Sequence, residues 1–207
     1  MHRVRWGRQK PLDNRVAPAD FHAGYFGIFA PCGEAAKRMG TDELFSSYYQ
    51  SPLGLLRISG TEQYISEIVF IDRIEKPPGD SHKRKYSQTL IQCIEQLIQY
   101  FHGERKQFDF PVHQEGTAFQ KRVWDELIGI PYGKTISYLE LSRRLGDAKA
   151  IRAAASANGK NNIAIIVPCH RVVGSKNDMV GYAGGIWRKK WLLEHEAKIM
   201  YGIQTLF

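Results

Sequence analysis

The period of the apolar positions changes along the chain. From Phe45 the apolar residues fall in short β-branched and aromatic runs. SSYYQSPLGLLRISG sets a Pro-Leu-Gly punctuation between two strand-prone runs, and YISEIVFID adds a third. Together they predict a small antiparallel sheet. The polar stretch from Lys76 to Lys85, with its Pro-Pro-Gly-Asp, predicts a loop. The spacing then becomes helical. Tyr86, Leu90, Ile94, Leu97 and Phe101 form one apolar stripe, which Gly103 ends.

Beyond residue 110 the helical period dominates. Thr117 and Gln120 form a capping box before a helix with the apolar face Phe119, Val123, Trp124, Leu127 and Ile128. Ile130-Pro131-Tyr132-Gly133 is a turn. Ser137 and Glu140 form a second box, followed by Leu141 and Leu145. Gly146 and Asp147 make a short turn, with Asp147 as N-cap of a third helix over 148–157 that ends at Asn158-Gly159. Two short helices across a tight turn predict a helix-turn-helix. The run Ile163-Ala164-Ile165-Ile166-Val167 predicts a buried strand, and Val172-Val173 a second short one. Residues 1–44 show no sustained period and read as an extension.

The expected architecture is α+β (α/β). A sheet-plus-helix domain over 45–110 precedes a mainly helical, winged-helix-like domain over 111–200, with a short tail over 201–207.

Charge and cysteine usage narrow the function classes. The chain has 207 residues and a net charge of +8. The middle third is neutral, whereas residues 111–207 carry 14 basic and 8 acidic side chains. A basic C-terminal half suits a polyanionic partner, and equally a solubility surface. No apolar run is long enough to span a bilayer, and the N-terminus lacks the apolar core of a secretory signal. The three cysteines, Cys32, Cys93 and Cys169, share no metal-ligand spacing and make no disulfide framework. That usage fits a reducing intracellular compartment, with the DNA if DNA is the partner, and predicts no metal. Cys93 sits in an apolar stripe and reads as a core thiol.

Two segments carry candidate chemistry. The helix AKAIRAAASA presents Arg152 among alanines and a serine. Small side chains let a helix approach a groove closely and let a lone Arg reach the bases, although tight packing against a neighbour explains the same composition. In Pro168-Cys169-His170-Arg171 a nucleophilic thiol would need a base or positive charge nearby, and His170 or Arg171 is placed to supply one. On Cys-His adjacency alone, a structural cysteine is the simpler reading.

Pro168-Cys169-His170-Arg171-Val172 resembles the signature of the O6-alkylguanine-DNA alkyltransferases. The resemblance extends, in order, through Ser51-Pro52-Leu53-Gly54, Phe119 to Trp124, Ile130 to Tyr138, Gly181-Tyr182-Ala183-Gly184-Gly185 and Trp191 to Glu196. It implies that Cys169 accepts the alkyl group, that His170 takes the thiol proton through a water, and that Glu196 orients His170. It implies further that Tyr138 supports the leaving guanine and that Asn161 is the hinge between the recognition helix and the active-site segment. Arg152 would fill the gap left by a flipped nucleotide, with Ala153, Ser156 and Ala157 of the same helix against the DNA. Tyr182 and Ala183 would line the guanine pocket, and the Val172 carbonyl would accept from the base. The implied partner is double-stranded DNA containing O6-alkylguanine, with O4-alkylthymine as a second candidate lesion, met by a monomer without cofactor in a single irreversible turnover.

Three features depart from the family pattern. Asn162 follows the hinge asparagine where most relatives have Pro, which predicts a less rigid hinge. The 44-residue extension has no recognised counterpart, and no zinc-ligand pattern precedes the middle helix. Two rival readings remain: an alkyltransferase-like protein that binds lesions without transferring the alkyl group, and a helix-turn-helix regulator.

Overall fold

A computed structural model describes residues 43–72 and 87–202. The extension is therefore outside the described residues up to Asp42, as are the predicted loop, Tyr86 and the last five residues.

The first three strands, β1 (Phe45–Ser51), β2 (Gly54–Gly60) and β3 (Ile65–Ile71), form an antiparallel sheet in the order β1-β2-β3. The Pro52-Leu53 turn is closed by Ser51, whose Oγ accepts from Leu53 N at 3.2 Å and donates to Gly54 O at 2.7 Å. Helix α1 (Gln88–Phe101) covers the sheet, burying Leu90, Cys93, Ile94, Leu97 and Phe101 as the stripe predicts. His102 and then Gly103, at φ 80°, end it.

The outer edge of β3 is not left bare. Ile65 bonds to Pro111 and His113, and Ile68 donates to Asn162 O at 2.8 Å and accepts from Ala164 N at 2.9 Å. An uncovered edge strand presents a row of unpaired backbone groups. Here that row is capped by the two segments that enter and leave the C-terminal helices, so the sheet is stitched to the segment before Cys169.

Helices α2 (Ala118–Ile128), α3 (Tyr138–Arg144) and α4 (Ile151–Gly159) pack on one another. The Thr117–Gln120 capping box is complete. Ser137 makes only half of the second box: its Oγ accepts from Glu140 N, but the Glu140 carboxylate accepts from Arg144 Nε. Asp147 caps the preceding turn at Lys149 N, so α4 begins three residues later than expected and has no side-chain cap. On α2, Val123, Trp124 and Leu127 are buried, whereas Ile128 lies 52% exposed, off the face assigned to it. Trp124 Nε1 donates to Ala157 O at 3.0 Å, which ties α2 to the end of α4.

The run 163–167 is not a strand. Only Ile163 and Ala164 follow the edge of β3; the chain then coils, with Ile166 N donating to Ala164 O and Val167 N to Ile163 O. Ile165 adopts φ 74°, a region costly for a β-branched side chain. Ile163, Ile165 and Val167 are all buried. Their apolar character reports that burial rather than a sheet ladder. Two-residue strands β4 (Ile136–Ser137) and β5 (Val172–Val173) pair in parallel, and helix α5 (Ile186–Tyr201) closes the structure.

Candidate active site

Cys169 opens a 3-10 turn, Cys169–Arg171, that leads into β5. On a strand Cys169 and His170 would face opposite ways; this turn buries both. Asn161 organises the approach. Its Nδ2 donates to Val167 O at 2.8 Å and to the Cys169 sulfur at 3.1 Å, and its Oδ1 accepts from Ile163 N at 3.0 Å. One side chain thus replaces the neighbour a strand would have had. Burial pushes the Cys169 thiol up, and the Asn161 bond, the Lys189 charge and two backbone N–H groups only partly oppose that. At rest the sulfur is a thiol.

The base beside it is defined by its other partner. His170 Nε2 lies 2.9 Å from Glu196 Oε1, and both residues are fully buried. Glu196 also accepts from Arg171 Nε and Nη2, each at 2.9 Å, from Tyr100 Oη at 2.9 Å and from Gly133 N at 2.9 Å. Burial alone would raise the carboxyl, but the bond from His170 and the bonds and charge of Arg171 hold it well below the usual carboxylate range. An ionised carboxylate only accepts, so Nε2 must carry the proton. Burial lowers the imidazole pKa, Glu196 opposes, and the Arg171 and Lys189 charges lower it further. With the carboxylate already matched by Arg171, His170 rests neutral. Its Nδ1 is then a lone-pair acceptor, and it is buried without a protein partner.

A thiol nucleophile, a neutral imidazole and a carboxylate that fixes its tautomer form a nucleophile–base–orienter set. Tyr138, half-buried at the start of α3, accepts from Asn158 Nδ2 at 3.4 Å. Burial raises its pKa, a thiolate at Cys169 would raise it further, and the bond from Asn158 opposes both.

Residues 118–198 match the DNA-binding domain of 6-O-methylguanine DNA methyltransferase, and residues 44–114 match that family's ribonuclease-like domain. A methylated-DNA–protein-cysteine methyltransferase of Mycolicibacterium paratuberculosis is 40% identical over 157 residues, covering 76% of this chain and 94% of its own. The constitutive one of Bacillus subtilis is 38% identical over 163 residues, covering 75% of this chain and 98% of its own. The Mycobacterium tuberculosis O6-methylguanine methyltransferase superposes with a TM-score of 0.68 at 38% identity, over 78% of this chain and 97% of its own. A related Mycobacterium tuberculosis structure in complex with DNA superposes at 0.65 with 39% identity, over 73% of this chain and 92% of its own. The chain belongs to the 6-O-methylguanine DNA methyltransferase family.

For a member of this family, the structure brings Cys169, His170, Glu196, Asn161 and Tyr138 into one connected site. Arg152, Ala153 and Ser156 form an exposed face of α4. Ala157, one turn beyond Ala153 at the edge of that face, is only 3% exposed, so its side chain belongs to the core. The Tyr182 hydroxyl is buried within electrostatic reach of Cys169, and Ala183 is exposed beside it in the chain. Asn162 uses the N–H that a Pro would lack, donating to Gln114 Oε1 at 2.8 Å. This segment therefore exchanges ring stiffness for a bond to the chain before α2.

Three residues of the site were missed in sequence. Tyr100 passes as one more member of an apolar stripe. Asn158 looks like a helix terminator, yet its amide reaches Tyr138 and, at 3.5 Å, Cys169 O. Lys189, in an ordinary Arg-Lys-Lys run, is wholly buried and donates to Val172 O at 2.6 Å and Val180 O at 2.8 Å. Burial lowers its pKa to about 8, and a thiolate at Cys169 would oppose that.

The site makes the fold acid-sensitive. His170 is neutral when folded and takes a proton on unfolding below its ordinary value of 6.5. Glu196 is ionised when folded and takes one on unfolding below 4.5. In both cases the unfolded chain binds more protons, so stability falls as pH falls. Thermal unfolding should show Tm dropping below pH 6.5 and more steeply below 4.5. Glu196→Gln should cost about 3–5 kcal/mol at neutral pH, by leaving Arg171 buried without its carboxylate, and should remove the steeper phase. A Tm that holds constant into acid would contradict the neutral-His170 assignment.

Proposed function

We propose that the protein repairs O6-alkylguanine in DNA by moving the alkyl group onto Cys169, once and irreversibly. The observation that carries this reading is the buried His170 ring, held by Glu196 at Nε2 with Nδ1 left without a protein partner, next in the chain to a cysteine sulfur held by Asn161. The related methyltransferases and the relative in complex with DNA support the substrate class.

His170 Nδ1 takes the thiol proton through one water, and Glu196 stabilises the imidazolium that results. The sulfur attacks the alkyl carbon, the carbon–O6 bond breaks, and its electron pair leaves on guanine. Tyr138 donates at the ring edge of that leaving base. The Ala183 N–H faces O6. The Val172 carbonyl has a second lone pair beside its bond from Lys189, and this accepts from the exocyclic amine. The product is a stable thioether, so each molecule acts once.

The alkyl carbon is inside the duplex, so the nucleotide must be extruded at a cost of a few kcal/mol. The exposed face of α4, with small residues around Arg152, fits the minor groove, and the guanidinium replaces part of the lost stacking.

Mass spectrometry after mixing with duplex DNA containing O6-methylguanine should show one methyl per protein, mapped to Cys169, and none with Cys169→Ala. Bound DNA without an adduct would instead make the protein a lesion binder, and methylation elsewhere would overturn the assignment of the sulfur. Arg152→Ala should fold normally and lose about tenfold or more in repair of duplex DNA, as lost compensation for flipping implies. Its reaction with the free base O6-benzylguanine should change little, and equal losses on both would show that Arg152 does not serve extrusion.

A further inference from the structure

The N-terminal sheet lies outside the proton relay, yet a buried cation ties it to the loop beside the sulfur. Arg188, 8% exposed in the first turn of α5, spends its guanidinium on three separate segments. Nε donates to Leu53 O in the β1–β2 turn at 2.8 Å, Nη1 to Gly184 O at 2.8 Å and Nη2 to Asp72 Oδ1 at 3.0 Å. Its Cζ lies over two rings, 4.7 Å from the centroid of Phe70 on β3 and 4.6 Å from that of Trp187. Asp72 is 85% exposed in its side chain, so that ion pair is screened and weak. The specific content is in the two carbonyls and the two rings, which a planar fork of donors matches and an ammonium does not.

The approach is close on both sides. A Cβ on Gly184 would lie 2.7 Å from Phe70 and 2.8 Å from the Tyr182 ring, and one on Gly54 would lie 3.2 Å from Arg188 Nη2. The 180–185 loop is thus gripped at two points by consecutive residues of one helix. Lys189 holds Val180 O and, at 3.5 Å, Gly181 O from inside the site. Arg188 holds Gly184 O from the sheet side. Between these anchors lie Tyr182 and Ala183.

We propose that Arg188 is a positioning residue that clamps the N-terminal sheet against the Tyr182–Gly185 loop, making the sheet the back wall that sets the width of the alkylguanine pocket. The clamp rests on the alkyltransferase reading of the site. It assigns the sheet a role in substrate affinity, distinct from the chemistry at Cys169. Arg188 reaches neither His170 nor Glu196, so loosening it widens the pocket and leaves the relay intact.

Pseudo-first-order alkylation of the full chain by excess single-stranded oligonucleotide carrying O6-methylguanine yields a half-saturating concentration and a limiting rate. Arg188→Lys and Arg188→Met should raise the half-saturating concentration about tenfold or more while the limiting rate stays within about twofold, the signature of lost binding rather than lost chemistry. Phe70→Leu should shift the same constant in the same direction, and Asp72→Asn should shift neither. Should Arg188→Met fail to fold, Arg188→Lys and Phe70→Leu carry the test. A fall in Tm with both kinetic constants unchanged at 25 °C would overturn the clamp in favour of a purely structural tie. A loss confined to the limiting rate would also overturn it. If the wild-type chain takes up no methyl group, the alkyltransferase reading falls and the clamp with it.

Discussion

The structure depends on one buried carboxylate. Glu196 is removed from water inside α5 and receives five hydrogen bonds, from Tyr100, Gly133, His170 and two nitrogens of Arg171. An ion of this size loses several kcal/mol of hydration on burial, and only close, complete coordination offsets that. The donors come from α1, from the turn before β4 and from the 3-10 turn that starts at Cys169. Satisfying Glu196 therefore fixes where these three elements meet. It also explains a glycine: residue 133 has φ 71°, and a Cβ there would lie 2.7 Å from Met200. The same coordination determines the chemistry, because a carboxylate saturated with donors leaves His170 a neutral imidazole with one lone pair.

The segment before the thiol is held by side-chain amides in place of a ladder. Asn161 holds Ile163 and Val167 into a coil and reaches the sulfur, and Asn158 reaches Tyr138 and the Cys169 carbonyl. The edge of β3 anchors Asn162 and Ala164. Trp124 holds the end of α4 through Ala157 O. The exposed face of α4 and the sulfur are therefore linked through a few residues of continuous, bonded chain. Any displacement of the 158–169 segment is passed to both.

Much of the architecture was legible in apolar spacing. The stripe of α1, the capping box at Thr117 and the hairpin at Ser51 to Gly54 each follow from short-range rules that tertiary contacts here do not override. The run 163–167 misled because apolar periodicity reports burial and is silent about hydrogen-bond partners. Those partners are an asparagine amide and a single sheet edge, and Ile165 takes a backbone conformation its residue type disfavours. Cys169 and His170 were open to residue chemistry as one of two readings, but Glu196 was legible only through resemblance, since it lies 26 residues from His170 in a helix whose charges look like a solvated face. Tyr100, Arg188 and Lys189 were not legible at all. Each belongs to an unremarkable stripe or charge run, and only burial against distant carbonyls and carboxylates distinguishes it.

The central claim is the protonation state of His170 beside Cys169, and nitrogen-15 NMR of the imidazole tests it directly. Between pH 6.5 and 8 the account predicts a neutral ring with the proton on Nε2, facing Glu196, and an unprotonated Nδ1. In Glu196→Gln that single-tautomer signature should weaken or be lost. A wild-type ring protonated on both nitrogens in that range, or carrying its proton on Nδ1, would leave the thiol without the base assigned to it and contradict the account.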